Sequence, residues 1–155
     1  MNAGAELAGG EQMTVDGTSF AATLEGSTGH GQIGLARNEF ARWLNRAGID
    51  TDTVEELTIG FSELAANAVA ASPAGTSTQV RAHCDDTAIV LETVNGSPRT
   101  NAHIGGTPDL SDPLRPSGRG LLIVKAYMDK VEVEPADEAI GIGILVRCRR
   151  DLVCA

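Results

Sequence analysis

The chain has 155 residues, enough for one hydrophobic core and too few for two well-developed domains. Hydrophobic residues make up 42% and aromatic ones 3%, so aliphatic side chains must fill most of the interior, with Trp43, Phe61 and Tyr127 as rare large pieces. A formal net charge of -9 argues against a nucleic-acid-binding surface, which needs clustered Lys and Arg, and suits basic surfaces on protein partners instead.

Residues 1–17 are rich in Gly, Ala, Glu and Thr without clear periodicity and are expected to be a mobile tail. Thr18 to Leu24 reads as a first strand. Gln32 to Ala47 reads as an amphipathic helix, with Ile33, Leu35, Ala36, Phe40, Trp43 and Leu44 on one stripe and Gly48 as its stop. Asp50 to Thr53 supplies N-cap candidates for a second helix that reaches Ala71 and ends at Ser72-Pro73-Ala74-Gly75. Strands Thr78–Cys84 and Thr87–Asn95 follow, joined by a tight Asp85-Asp86 turn.

Gly96 to Gly120 then carries four of the six prolines and five glycines. A loop of roughly 20 residues is uncommon inside a compact domain and marks residues 96–118 as a candidate lid. A third helix spans Gly120 to Asp129. Val131–Glu134 and Ile140–Arg149 read as the last two strands, the second alternating through Ile140, Ile142, Ile144, Val146 and Cys148. The core domain is therefore placed at 18–150, with a short C-terminal tail at 151–155. The order β-α-α-β-β-loop-α-β-β predicts an α+β domain: a two-layer α/β sandwich with a mixed, mostly antiparallel sheet and three helices on one face.

Three cysteines, Cys84, Cys148 and Cys154, form neither a CxxC pair nor a disulfide framework, and the first two fit small core residues. Reduced thiols, the lack of a signal-peptide pattern and the lack of a run of ~18 apolar residues predict a cytoplasmic protein with no membrane span. His30, His83 and His103 are scattered without metal-ligand spacing. Arg99 and Arg115 in the loop, and the run Arg147, Arg149 and Arg150, read as solvated cations rather than a binding patch.

Three motifs can carry chemistry. Glu63 and Asn67 lie four apart on one face of the second helix, amid Phe61, Leu64, Ala65, Ala66, Ala68 and Val69. They are either solvent-facing polar residues or the polar lining of a site. Ser117-Gly118-Arg119-Gly120-Leu121 opens a helix, where free backbone N–H groups favour an anion such as phosphate; a plain flexible hinge has the same composition. Val94-Asn95-Gly96-Ser97-Pro98 ends a strand, as an ordinary turn or as the mouth of a pocket.

In combination and order, these motifs resemble the GHKL or Bergerat ATP-binding fold, and within it the bacterial anti-sigma-factor serine/threonine kinases, over residues 18 to 150. Ser62 to Ala68 is similar to the family's N box, and Gly118 to Val124 to its G2 box. The resemblance implies that Asn67 helps hold Mg2+ against the phosphates of ATP. It implies that Glu63 polarises the attacking hydroxyl or water, and that Gly118, Arg119, Gly120 and Leu121 bind the phosphates. Asn95 and Ser97 align with the family's D-x-G at the adenine end. Asn95 stands where the family has Asp, which removes the charge from that hydrogen bond. Ile142 stands where it often has Thr.

The implied function is an ATP-dependent protein kinase that phosphorylates a STAS-type anti-anti-sigma protein, sequesters a sigma factor, or does both, in the manner of family members that are often homodimers. The alternative is a degenerate binding module of the same fold with weak or no nucleotide binding.

Overall fold

The computed structural model describes residues 3–7, 11–26, 30–72, 75–94, 120–135 and 144–152. Seven strands form one sheet in the order β1-β2-β3-β4-β5-β7-β6. They are β1 (Ala3–Leu7), β2 (Glu11–Val15), β3 (Ser19–Glu25), β4 (Ser77–Cys84), β5 (Ala88–Val94), β6 (Lys130–Pro135) and β7 (Ile144–Asp151). The described helices are α1 (His30–Arg46), α2 (Thr51–Ala71) and α3 (Gly120–Tyr127). None of them is long and apolar enough to cross a membrane.

The topology follows from counting helices between strands. β3 ends at Glu25, and α1 and α2 carry the chain away and back, so β4 starts beside the end of β3: Glu25 pairs Ser77, and Gly26 donates its N–H to the Thr76 carbonyl at 2.8 Å. A hairpin returns β5, Gln79 opposite Val94. α3 ends at the other end of the sheet, where β6 starts, so β6 runs parallel to β5. β7 fills the space between them, antiparallel to both. Where a mixed sheet is expected from sequence, every described pair of neighbours is therefore antiparallel.

The expected N-terminal tail is the larger correction. Residues 3–7 and 11–15 form β1 and β2, added to the edge of β3 with Met13 opposite Ala22 and Val15 opposite Phe20. Met13 is buried and Val15 packs on the core. Without this hairpin β3 would present an unpaired edge, and with it the edge is covered. At the other terminus, β7 extends to Asp151.

One side of the sheet takes the helices. Phe20, Ala22 and Leu24, then Val80 and Ala82, then Ile89 and Leu91, then Cys148, share that side and are buried. The few aromatics concentrate here. Phe20 from β3, Phe40 and Trp43 from α1 and Phe61 from α2 meet with ring centroids 4.6 to 6.1 Å apart, Phe40 stacked on Phe61. The core is thus aliphatic around an aromatic centre. Such ring pairs contribute about 0.5–1.5 kcal/mol each beyond area burial. Trp43 also donates its indole N–H to the Asp16 carbonyl at 2.9 Å, tying α1 to the β2–β3 turn. Tyr127, expected to help fill the interior, is only half-buried at the end of α3.

Candidate functional site

Asp50 starts α2. Its carboxylate accepts from the Thr53 N–H at 2.9 Å and the Thr53 hydroxyl at 2.7 Å, which holds the acid below the usual carboxylate range. At the far end Ser72 donates its N–H to the Val69 carbonyl and its hydroxyl to the Ala68 carbonyl. Between these stops Val54, Leu57, Phe61, Leu64, Ala65, Ala68 and Val69 are buried and set the rotation of the helix on the sheet. That rotation puts Glu56, Gly60, Glu63 and Asn67, spaced 4, 3 and 4 apart, on one flank beside the buried stripe.

This flank faces α3. A Cβ built on Gly60 would lie 3.4 Å from Met128 Cε, at the end of α3. Arg150 on β7 donates from Nη1 to Glu56 Oε2 at 2.7 Å and to the carbonyl of Tyr127, the last residue of α3, at 2.6 Å. The C-terminal end of α3 therefore sits beside the first half of α2. At 1.5 Å per residue, Asn67 is about 10 Å along α2 from Gly60, and Gly120 is about 12 Å along α3 from Met128. Glu63 lies one turn closer to Gly60 than Asn67 does.

β5 ends at the Asn67 end of α2. Its last residue, Val94, is buried, and its carbonyl accepts the buried Thr78 hydroxyl at 2.7 Å, so the strand is fixed up to the point where the chain leaves the sheet. Asn67, near the end of α2, and the end of β5 lie at one end of the molecule. Asn95, Ser97, Gly118, Arg119 and the lid stretch 96–118 lie outside the described residues, as does Ile142. Gly120 and Leu121 form the first two positions of α3.

Glu63 and Asn67 are half-buried, and among the described residues neither has a hydrogen-bond or ion-pair partner. A half-buried carboxylate and carboxamide are stabilised by polar groups or water brought to them. Among the described residues no group of three or more His, Cys, Asp or Glu could hold a metal. A cation here would take the Asn67 amide oxygen as one protein ligand and need its other oxygens from phosphate and water, a donor set that suits Mg2+.

The opposite end of the molecule carries a different surface. A cleft of about 810 Å3 there is lined by Asp50, His83, Asp85, Asp86, Arg150 and Asp151 among others. Asp50, Asp85 and Asp151 among its acids are structural. Asp85 accepts from the Thr87 hydroxyl and N–H at 2.7 Å each and from the Ala88 N–H at 3.0 Å, which lowers its pKa to about 2 and closes the β4–β5 turn. Asp151 takes Arg149 at 2.8 Å.

The arginine run expected to be solvated is paired throughout. Arg147 bridges Glu92 and Glu134 on the open face of the sheet, both at 3.1 Å, Arg149 takes Asp151, and Arg150 points to the helix side. Sequence reasoning missed Arg150 and Glu56. The signal was present: side chains alternate along a strand, so adjacent Arg149 and Arg150 cannot both face outward.

A family model described as the histidine kinase-like ATPase domain matches residues 27–144. No curated protein matches the chain.

Proposed function

The chain belongs to the histidine kinase-like ATPase domain family, and from that premise we propose that it binds ATP with Mg2+ at the α2–α3 end and transfers the γ-phosphoryl group to a Ser or Thr hydroxyl of a protein partner. The observation that carries this reading is the pair Glu63 and Asn67, half-buried without partners among the described residues, on the flank of α2 whose Glu56 and Gly60 meet the end of α3.

Phosphoryl transfer requires mainly placement and charge stabilisation from the protein. Asn67 would hold Mg2+, which neutralises phosphate charge when bound. The backbone N–H groups at the start of α3, with Gly118, Arg119, Gly120 and Leu121, would orient the phosphates. Among the described residues Glu63 has no partner competing for its lone pairs, and it would accept the proton of the attacking hydroxyl. Asn95 and Ser97 would meet the adenine. The partner is proposed as a STAS-type anti-anti-sigma protein, with sigma-factor sequestration and homodimerisation as properties of the same domain in the cytoplasm. The net charge of -9 suits a partner with a basic surface.

Calorimetry with and without Mg2+ tests the site. Micromolar ATP affinity is expected with Mg2+, weakened at least tenfold by Asn67→Ala. Labelled ATP should transfer phosphate to a cognate STAS protein, and Glu63→Ala should abolish transfer while retaining ATP binding. Absence of heat at millimolar nucleotide would instead establish the degenerate binding module suggested by Asn95 and Ile142. Full transfer by Glu63→Ala would remove its role as base.

A further inference from the structure

A single guanidinium nitrogen joins three elements at the end of the molecule remote from the proposed ATP site. Arg150 sits on the helix-facing side of β7, in the row with Ile89 and Cys84, its side chain 25% exposed. Nη1 donates to Glu56 of α2 and to the Tyr127 carbonyl of α3. An arginine turned toward the apolar layer is costly unless its donors are satisfied. Here two bonds go to one nitrogen, and Asp50 adds a neighbouring negative charge.

The Tyr127 carbonyl is one of the final carbonyls of α3 that no residue of the helix can satisfy, and a cation there also opposes the negative end of the helix dipole. α3 has eight residues, too few to hold its shape or direction alone. Val124 is buried beneath it, and Asp129 ties the following turn to β7 through Arg149 at 2.8 Å and Asp151 at 2.6 Å. Arg150 bonds the helix end to α2 as well as to the sheet, beside the packing of Met128 against Gly60.

A rod pinned at one end transmits angle to the other. For a helix about 12 Å long, a tilt of about 10° at Tyr127 displaces Gly120 by about 2 Å. Displacements of this size are large against the tolerance of phosphoryl-transfer sites. We propose that Arg150 is a positioning residue for the phosphate-binding start of α3, acting through the Glu56–Arg150–Tyr127 clamp. This rests on the reading that the start of α3 receives the phosphates of ATP.

The test compares two ligands of the wild-type protein and of Arg150→Met by calorimetry: Mg-ATP, and adenosine, which lacks the phosphates. The clamp predicts about a tenfold loss of ATP affinity in Arg150→Met, about 1.4 kcal/mol, with adenosine affinity unchanged. Hydrogen exchange in 121–127 should quicken in the nucleotide-free variant. Equal losses for both ligands, or no loss for either, overturn the proposal and leave Arg150 a structural residue. If wild type binds ATP no better than adenosine, the phosphate site itself fails and the proposal falls with it. Should Arg150→Met not fold, Arg150→Lys carries the same comparison. It keeps the charge on a shorter reach and is expected to lose about threefold in ATP affinity alone; a loss shared equally with adenosine again overturns the clamp.

Discussion

Replacing Gly60 by alanine and by valine should change stability in opposite directions. Gly60 lies inside α2, where glycine costs about 1 kcal/mol relative to alanine through backbone entropy. The added Cβ would meet Met128 Cε at 3.4 Å, an ordinary contact that needs no movement. Gly60→Ala should therefore gain up to about 1 kcal/mol, raising Tm by about 2–4 °C for a chain of this size. Valine adds two further methyl groups, and Met128 is buried with little room to retreat. Overpacking of this kind costs about 1–3 kcal/mol, which outweighs the smaller propensity gain. Gly60→Val should thus lower Tm and push α3 off α2, weakening ATP binding. The fluorescence of Trp43, the sole tryptophan and buried, reports unfolding directly. Gly60→Val combined with Met128→Ala should be more stable than the two single effects summed, by about 1 kcal/mol or more. Strict additivity, or a drop in Tm for Gly60→Ala, would refute the reading that a methyl group fits between α2 and Met128 and a larger side chain does not.

Two titrating groups give further tests. Asp85 has its folded pKa lowered to about 2 by the hydrogen bonds of Thr87 and Ala88, so it contributes stability that is present above its unfolded value near 3.8 and is lost as pH falls toward 2. Asp85→Asn keeps an acceptor but no charge. Its deficit against wild type in urea midpoint should therefore shrink between pH 4 and pH 2, and a constant deficit would rule out the charged turn. Burial pushes the Cys148 thiol up to about 12 from an ordinary value of 9.0, so the fold favours its neutral form. Stability should fall as pH rises from about 9 toward 12. In the native protein at pH 8, peptide mapping should find Cys148 unlabelled by a thiol reagent. Labelling at the rate of a free cysteine would mean that the helix-facing side of β7 is not covered.

Helices and hairpins with strong local signals were legible in the residues. Asp50 and Thr53 marked the start of α2, Ser72-Pro73 its end, and Asp85-Asp86 the turn between β4 and β5. The first two strands were not legible, because Ala3–Leu7 and Glu11–Val15 contain few β-branched or aromatic residues. Their conformation comes from the pairing partner β3, and strand preference depends on context in this way. At the site, the spacing of Glu63 and Asn67 revealed their shared flank. It did not reveal what that flank faces, since Gly60 meeting Met128 and Glu56 meeting Arg150 depend on residues 68 and 94 positions further along the chain. Long-range pairings of this kind leave no periodic trace.

The sheet order carries one more consequence. Val94 and Leu145 are paired neighbours on adjacent strands, although fifty residues of chain separate them in sequence. Everything between them departs from one doorway and returns through it. Lengthening such an excursion adds closure entropy only logarithmically, about 0.6 kcal/mol per doubling of a flexible loop. The register of β5 on β7 is therefore set by the paired strands and not by the length of chain that separates them. The length of chain between the two strands is free to change while the paired platform stays the same.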